Sequence, residues 1–258
     1  MGENSDDRVG AEMRDVVGRA VEVMREQLGH QLTVDDLARS AMFSRFHFSR
    51  IFQRVTGVSP GRFLSALRLH EAKRLLLATS DSVTDISYQV GYHSVGTFSA
   101  RFHSSVGLSP SAYRQAGGFT TMVSTEPRAR RRPGSALVHG RLRSTEADET
   151  GVIFVGLFPE PVPQGQPVCG TIMAEPDHFL LTDVPSGTWY LVASSVRTAY
   201  AAGTEPEPFV AVTGPVTVHP CAVLSVDLPL RRRRAVDPPL VLGRLTVPAP
   251  TPCYGAAS

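Results

Sequence analysis

The chain has 258 residues, 42% hydrophobic and 19% charged, which is the length of two ordinary domains and the balance of a soluble globular protein; a disordered or fibrous class is excluded. No run approaches the ~18 apolar residues that cross a bilayer, and the opening MGENSDDR is acidic where a secretory leader is basic and then apolar, so a cytoplasmic protein with no membrane partner is expected. Three dispersed cysteines, Cys169, Cys221 and Cys253, offer neither a disulfide framework nor a CxxC metal knuckle and are read as reduced thiols, and the net charge is only +2.

Residues 11–28 place Met13, Val17, Ala20, Met24 and Leu28 at three- and four-residue steps, the period of a one-sided amphipathic helix, and Gly29 supplies a stop. In LTVDDLARSA, Thr33 is positioned to cap a short helix over 34–40, with Asp35 and Asp36 in the first turn, where the helix dipole favours acids. After a tight turn at Ala41–Phe43, Ser44 caps a second helix over about 45–55. The plan then repeats: a helix over about 83–89, a turn at Val90–His93, a capping Ser94, and a helix over 95–105. Phe48, Phe52, Gly57, Ser59-Pro60 and Phe63 recur as Phe98, Phe102, Gly107, Ser109-Pro110 and Tyr113 at a constant offset of 50 (48 to 98). Leu37 and Ile86 differ by 49, so one residue is inserted in the second turn. Between the copies, SPGRFLSALRLHEAKRLLLAT predicts one long helix with Leu69, Ala72 and Leu76 on a buried stripe, and Pro110 opens a final short helix.

From 117 to 134 the periodicity disappears and Gly, Pro and Arg dominate, as in a linker. Beyond it ALVHGRLR, GVIFVGLF, HFLLTD, GTWYLVASSV, PFVAV, CAVLSVDL and LVLGRLTV predict strands separated by Pro/Gly-rich turns at the spacing of a sandwich. Most of the 20 prolines lie here, where strand ends and edges accommodate them. Trp189 and Leu191 alternate with Tyr190 as inward and outward positions do, and Trp189 is read as core in preference to a ligand platform.

Residues 32–114 resemble the DNA-binding domain of AraC/XylS-type transcription regulators, two helix-turn-helix units joined by a long helix. The second unit carries the family's ending as Gly91-Tyr92, Phe98, Phe102, Gly107, Ser109-Pro110 and Tyr113-Arg114. The expected fold is therefore a multidomain α plus β chain: an N-terminal all-α double helix-turn-helix, homeodomain-like domain and a C-terminal antiparallel β-sandwich. Its divisions are 1–31, a lead with the first helix; 32–116, the DNA-binding domain; 117–134, the linker; 135–248, the sandwich; and 249–258, a tail. The motifs LVHGRL, GVIFVGLF, FLLTDVPSGTWYL and VTVHPCAVLSVDLPL resemble the transthyretin or carboxypeptidase-regulatory type of sandwich. Only 31 residues precede Leu32, read as too few for the sensor that the common AraC plan places ahead of the DNA domain. Whether the sandwich binds a small molecule, another copy of the chain or a second protein stays open.

Residues 30–118 carry ten Lys/Arg against five Asp/Glu, an electrostatic hint of a polyanionic partner. Phe48/Phe52 and Phe98/Phe102, spaced i, i+4, share the face that packs inward and are read as core, not base stackers, which leaves the opposite face for a DNA groove. On the first recognition helix that face presents Arg45, Phe46, Ser49 and Arg50: Arg50 suits forked donation to guanine, Ser49 donates or accepts, and Phe46 suits a thymine methyl. The resemblance implies base contacts at Phe46, Ser49 and Arg50 as well. On the second helix the same positions are Val95, Gly96, Ser99 and Ala100; with Ser99 the one polar survivor, this unit is expected to add affinity through backbone contacts more than sequence choice. Ser44, Arg54, Ser94 and Arg101 are the expected phosphate contacts. The partners implied are double-stranded promoter DNA and RNA polymerase, with no cofactor and no catalytic role.

Blander readings apply elsewhere. For Arg54, Arg62, Arg68 and Arg74, phosphate contact and plain solvation are equally open. HSVG at 93–96 lacks the glycine two before the serine that a nucleophile elbow needs, and is a turn and a cap. His47, His70, His93 and His103 show no metal-ligand spacing. RARRR (128–132) is read as a solvated loop able to trail along phosphates, and RRRR (231–234) as a charged turn between strands.

Overall fold

A computed structural model describes residues 3–120, 134–144, 152–196, 208–241 and 244–245. The RARRR run, Cys253 and the tail from 249 lie outside the described residues. Seven helices come first: α1 (Glu3–Glu26), α2 (Val34–Ser40), α3 (Arg45–Thr56), α4 (Pro60–Ala78), α5 (Val83–Gln89), α6 (Val95–Val106) and α7 (Pro110–Gln115). All seven expected helices form. The one displaced start is that of α1, which begins at Glu3 rather than residue 11; ENSDDR has no apolar period to betray a helix, yet acids favour a helix's first turns.

The duplication is visible in the packing. Phe48 and Phe52 sit 5.7 Å apart, ring centre to ring centre, and Phe98 and Phe102 5.6 Å apart; Phe52 meets Phe63 edge-on at 5.4 Å and Phe102 meets Tyr113 at 5.5 Å. All six rings are buried. Each recognition helix ends on a left-handed glycine, Gly57 at φ 80° and Gly107 at φ 89°. The inserted residue lies in the second turn as expected, since four residues separate α2 from α3 and five separate α5 from α6. Val17, Ala20, Val21 and Met24 of α1 join the same buried cluster as these rings, together with Leu69, Ala72 and Leu76 of α4.

Ten strands follow: β1 (Phe119–Thr120), β2 (Ala136–Ser144), β3 (Val152–Phe158), β4 (Cys169–Met173), β5 (His178–Val184), β6 (Gly187–Val196), β7 (Phe209–Val218), β8 (Val223–Ser225), β9 (Leu228–Arg232) and β10 (Arg244–Leu245). Eight make one sheet: seven follow the hydrogen-bonded path β4-β3-β6-β7-β9-β2-β5, and β8 pairs with β2 off that path. The end strands β4 and β5 approach each other, so the path nearly closes on itself, barrel-like. The expected antiparallel sandwich is corrected: the strands form one nearly closed sheet in place of two packed ones, and β2 pairs parallel with both β8 and β9, so the sheet is mixed. The reason is connectivity, because β2 and these two strands are remote in sequence and nothing obliges them to run as a hairpin. Sequence periodicity also missed β4, whose five residues are all half-buried and show no alternation. The core of this module is lined by Ile153, Val155, Leu157, Phe179, Leu181, Leu191 and Leu228, with Trp189 packed at its margin. A two-residue parallel pairing of β1 with β10 falls at the start of the expected linker.

The two modules touch. Val162 and Val241 of the β-module are buried in the helical cluster, Gly165 N–H donates to the Ser105 carbonyl at 2.7 Å, and Arg62 pairs with Glu160 at 2.6 Å.

Candidate nucleic-acid interface

Ser44 holds the start of α3 by accepting from His47 N–H at 3.3 Å, and Ser94 does the same for α6 with Thr97 N–H at 3.3 Å. In each case the hydroxyl acts as acceptor, which leaves its hydrogen able to reach a phosphate. From those starts the 3.6-residue period turns Phe48, Ile51 and Phe52 inward and carries 45, 46, 49 and 50 outward. Arg45, Phe46 and Arg50 are exposed, Phe46 by 73%, and Ser49 is half-buried. Phe46 is thus an apolar ring on the open side of a helix whose other side is packed. The Arg50 guanidinium lies 5.7 Å from the Phe46 ring centre, and this cation–π stacking props the arginine upright on the open face. Arg45 reaches back to Asp35 of α2 at 3.4 Å, with both groups exposed, so the pair is readily exchanged for a DNA group.

Sequence reasoning found Thr33 as the cap of α2 but missed the reciprocal half of the capping box, the Asp36 side chain. Thr33 accepts from Asp36 N–H at 3.1 Å while its own hydroxyl donates to Asp36 Oδ2 at 2.6 Å. The Thr33 hydroxyl, with its backbone N–H, holds the Asp36 carboxyl below the usual carboxylate range. Thr33 followed three residues later by an acid was the readable signal.

On α6 the corresponding face is small and smooth. Val95 and Ser99 are half-buried and Gly96 and Ala100 exposed. A methyl group added at Gly96 would meet nothing closer than Ser94 Oγ at 3.7 Å, so this glycine is not demanded by packing within the chain. Arg101 is exposed and lines, with Arg62 and Glu160, a cleft of about 420 Å³ between α4, α6 and the segment after β3.

Of the four arginines whose role was open, three have partners. Arg68 donates to the carbonyls of Leu28 and His30 at 3.1 and 2.8 Å and so holds the turn that follows α1. Arg62 pairs with Glu160 and Arg74 with Glu71. Arg54, exposed on α3, is the one with no such bond among the described residues. Arg114 closes the end of α4 by donating to Leu76 and Asp81 carbonyls at 2.9 and 2.6 Å, a role only the tertiary structure reveals. The RRRR run is more than a charged turn: Arg231 forks onto Asp237 at 2.5 and 2.8 Å and Arg232 lies 5.0 Å from the Phe209 ring centre, folding the strap that carries Val241 onto the helices.

Residues 37–116 match the family model described as a helix-turn-helix domain. Over 98 residues the chain is 35% identical to the lactose operon transcription activator of Staphylococcus xylosus, covering 38% of this chain and 35% of that one. Over 102 residues it is 30% identical to the transcriptional activator AarP of Providencia stuartii, covering 39% of this chain and 76% of that protein. The chain thus spans about a third of the length of the first relative and three quarters of the second. Among solved structures, a transcriptional regulator from Chromobacterium violaceum described as AraC-type is 28% identical, with 42% of this chain and 96% of that chain covered at a TM-score of 0.39. The DNA-binding domain of AdpA, solved with a target DNA, is 34% identical over 39% of this chain and 90% of that one, at a TM-score of 0.38.

Proposed function

Because the chain belongs to the AraC-type family of helix-turn-helix transcription regulators, we propose that it binds promoter DNA sequence-specifically and regulates transcription, without a catalytic role. The observation that carries this reading is the open face of α3, where an exposed Phe46 and the stacked Arg50 stand beside Ser49 with no covering element among the described residues. Phe46, Ser49 and Arg50 read base edges; Arg45 joins them once released from Asp35. Val95, Gly96, Ser99 and Ala100 let α6 settle close to the duplex, and Ser44, Arg54, Ser94 and Arg101 hold phosphates. The 19 residues of α4 form a rod of roughly 28 Å at ~1.5 Å per residue. That is near the ~34 Å that separates successive major-groove faces, so one monomer engages both with modest bending of the duplex. RNA polymerase is the expected protein partner and the cytoplasm the expected location; no described helix is long and apolar enough to cross a membrane.

The helical reader comprises residues 32–116 with α1 sharing its core, followed by the linker at 117–134. The module over 135–248 serves as a transthyretin or carboxypeptidase-regulatory-like unit that modulates or oligomerises the reader. Selection of bound fragments from random duplexes tests the whole reading. Enriched sites with two elements about 10 base pairs apart support it. Equal affinity for scrambled and selected sequences overturns it and favours a second reading, in which the small side chains of α6 make the reader a weakly specific tether and the β-module recruits the partner.

A further inference from the structure

The segment that follows β3 is latched onto the helical reader. Val162 is buried in the helical cluster, Gly165 N–H donates to the Ser105 carbonyl at 2.7 Å, Ser105 Oγ donates to Gln164 Oε1 at 3.2 Å, and Glu160 pairs with Arg62 at 2.6 Å. Gly165, at φ 68°, passes so close to α6 that an added methyl would lie 3.1 Å from the Ser104 carbonyl oxygen. The packing and the two hydrogen bonds fix where the segment lies. The ion pair is of another kind: its side chains are 55% and 41% exposed, so in water it adds little to the fold and is readily exchanged.

What the pair does set is the charge of the cleft between α4, α6 and this segment. Arg62, from the first turn of α4, and Arg101, from α6, both line it, and Glu160 stands between the modules as its acid. Arg101 is exposed, has no ion pair among the described residues, and directly follows Ala100 of the outward face of α6. Two guanidiniums flanking a reading face suit the sugar-phosphate backbone, which is held by such contacts without regard to sequence. Carboxylate and phosphate oxygens are accepted alike by a guanidinium. Glu160 therefore sits on Arg62 as a phosphate would.

We propose that Glu160 is an autoinhibitory stand-in for a DNA phosphate: while it holds Arg62 the reader lacks one backbone contact, and a duplex gains that contact only by displacing the carboxylate. The β-module thus restrains the helical module through a bond that exchanges without undocking, because Val162 and the Ser105 bonds stay in place. The inference rests on the DNA-binding reading and concerns phosphate affinity, not base choice.

The experiment is fluorescence anisotropy of the full chain on a selected duplex and its scrambled counterpart, over salt from about 50 to about 200 mM. Glu160→Gln is expected to bind both duplexes about two- to five-fold more tightly than the native chain. Its log affinity should also fall more steeply with log salt, by about 0.9, for one more phosphate neutralised. Adding Arg62→Gln to it is expected to abolish the gain and the extra slope together. Glu175→Gln, the same charge change at an exposed site in the turn after β4, is expected to leave the slope unaltered. The single melting transition of the native chain should persist in Glu160→Gln. Native affinity and slope in Glu160→Gln, a gain matched by Glu175→Gln or kept without Arg62, or a gain that comes with a split melt overturns the latch and leaves the DNA reading standing. Failure of all these proteins to bind any duplex overturns the DNA reading, and the latch with it.

Discussion

Arg50 is exposed and, among the described residues, meets only the face of Phe46, so removing it should leave the fold alone and act on recognition. Arg50→Ala is expected to weaken the selected site by about 1 to 3 kcal/mol, roughly 5- to 150-fold, with little change on scrambled DNA. Fluorescence anisotropy on both duplexes reads this, and a parallel loss on both would reassign the residue to phosphate contact. His70 makes a prediction of another kind. Burial holds its pKa at about 4, below the ordinary 6.5, so the unfolded chain takes up the proton first. The stability it contributes is complete above pH 6.5, is lost as pH falls towards 4, and flattens below that, at no more than about 1.4 kcal/mol per pH unit. Urea titrations of the native chain and His70→Gln between pH 7 and 4.5 should diverge in slope; parallel curves would place the pH dependence elsewhere.

At the scale of the element, the two helix-turn-helix units look equivalent and are not. Gly57 and Gly107 end α3 and α6 at positive φ, and a methyl group at Gly57 would meet nothing within 4 Å. Gly57→Ala therefore carries only the left-handed penalty, about 1 kcal/mol. Gly91, in the turn before α6, has φ 87° and sits so that an added methyl would lie 2.3 Å from the Leu28 carbonyl oxygen and 2.8 Å from the Arg68 guanidinium. The corresponding position in the first turn, Met42, adopts φ 58° with its side chain 93% exposed. Gly91→Ala should consequently destabilise by several times the cost of Gly57→Ala, as it pushes aside Arg68 and the turn after α1 that Arg68 holds. Thermal melts rank the two; equal losses would mean that α1 gives way easily. What sets the second turn apart is thus the close approach of the Leu28 carbonyl and Arg68 at Gly91, a matter of packing.

For the whole molecule, the contact between modules is small in residues but buried. Val162 is 2% exposed within the helical cluster, and beside it Ser105 Oγ donates to Gln164 Oε1 at 3.2 Å. Val162→Asp would place an unpaired charge there and is expected to separate the modules at a cost of several kcal/mol. The readout is a single melting transition in the native chain that splits in two in the variant, the helical module keeping at least its native affinity for the selected site. A variant that still melts in one step would show that the modules are held elsewhere.

The repeat at offset 50, the caps, the buried phenylalanines and the open face of α3 were legible in the residues, because helix periodicity and capping are local and each recognition helix writes its inward and outward faces within two turns. The same locality hid α1's polar first turns, the uniformly half-buried β4 and the parallel pairing of β2, where no short-range pattern distinguishes one partner from another. Arg62, Arg68 and Arg74 read alike as surface cations and Arg114 only as part of a motif; the approach of residues far away in sequence gave Arg62 an ion pair, Arg68 backbone carbonyls after α1 and Arg114 the end of α4, and left Arg74 with its neighbour Glu71. The seam between the modules belongs wholly to the tertiary structure, since its charges and the His70 imidazole come from α1, α4 and a strap more than 150 residues downstream (residue 74 to residue 233), and proximity over that separation is decided by how two cores pack.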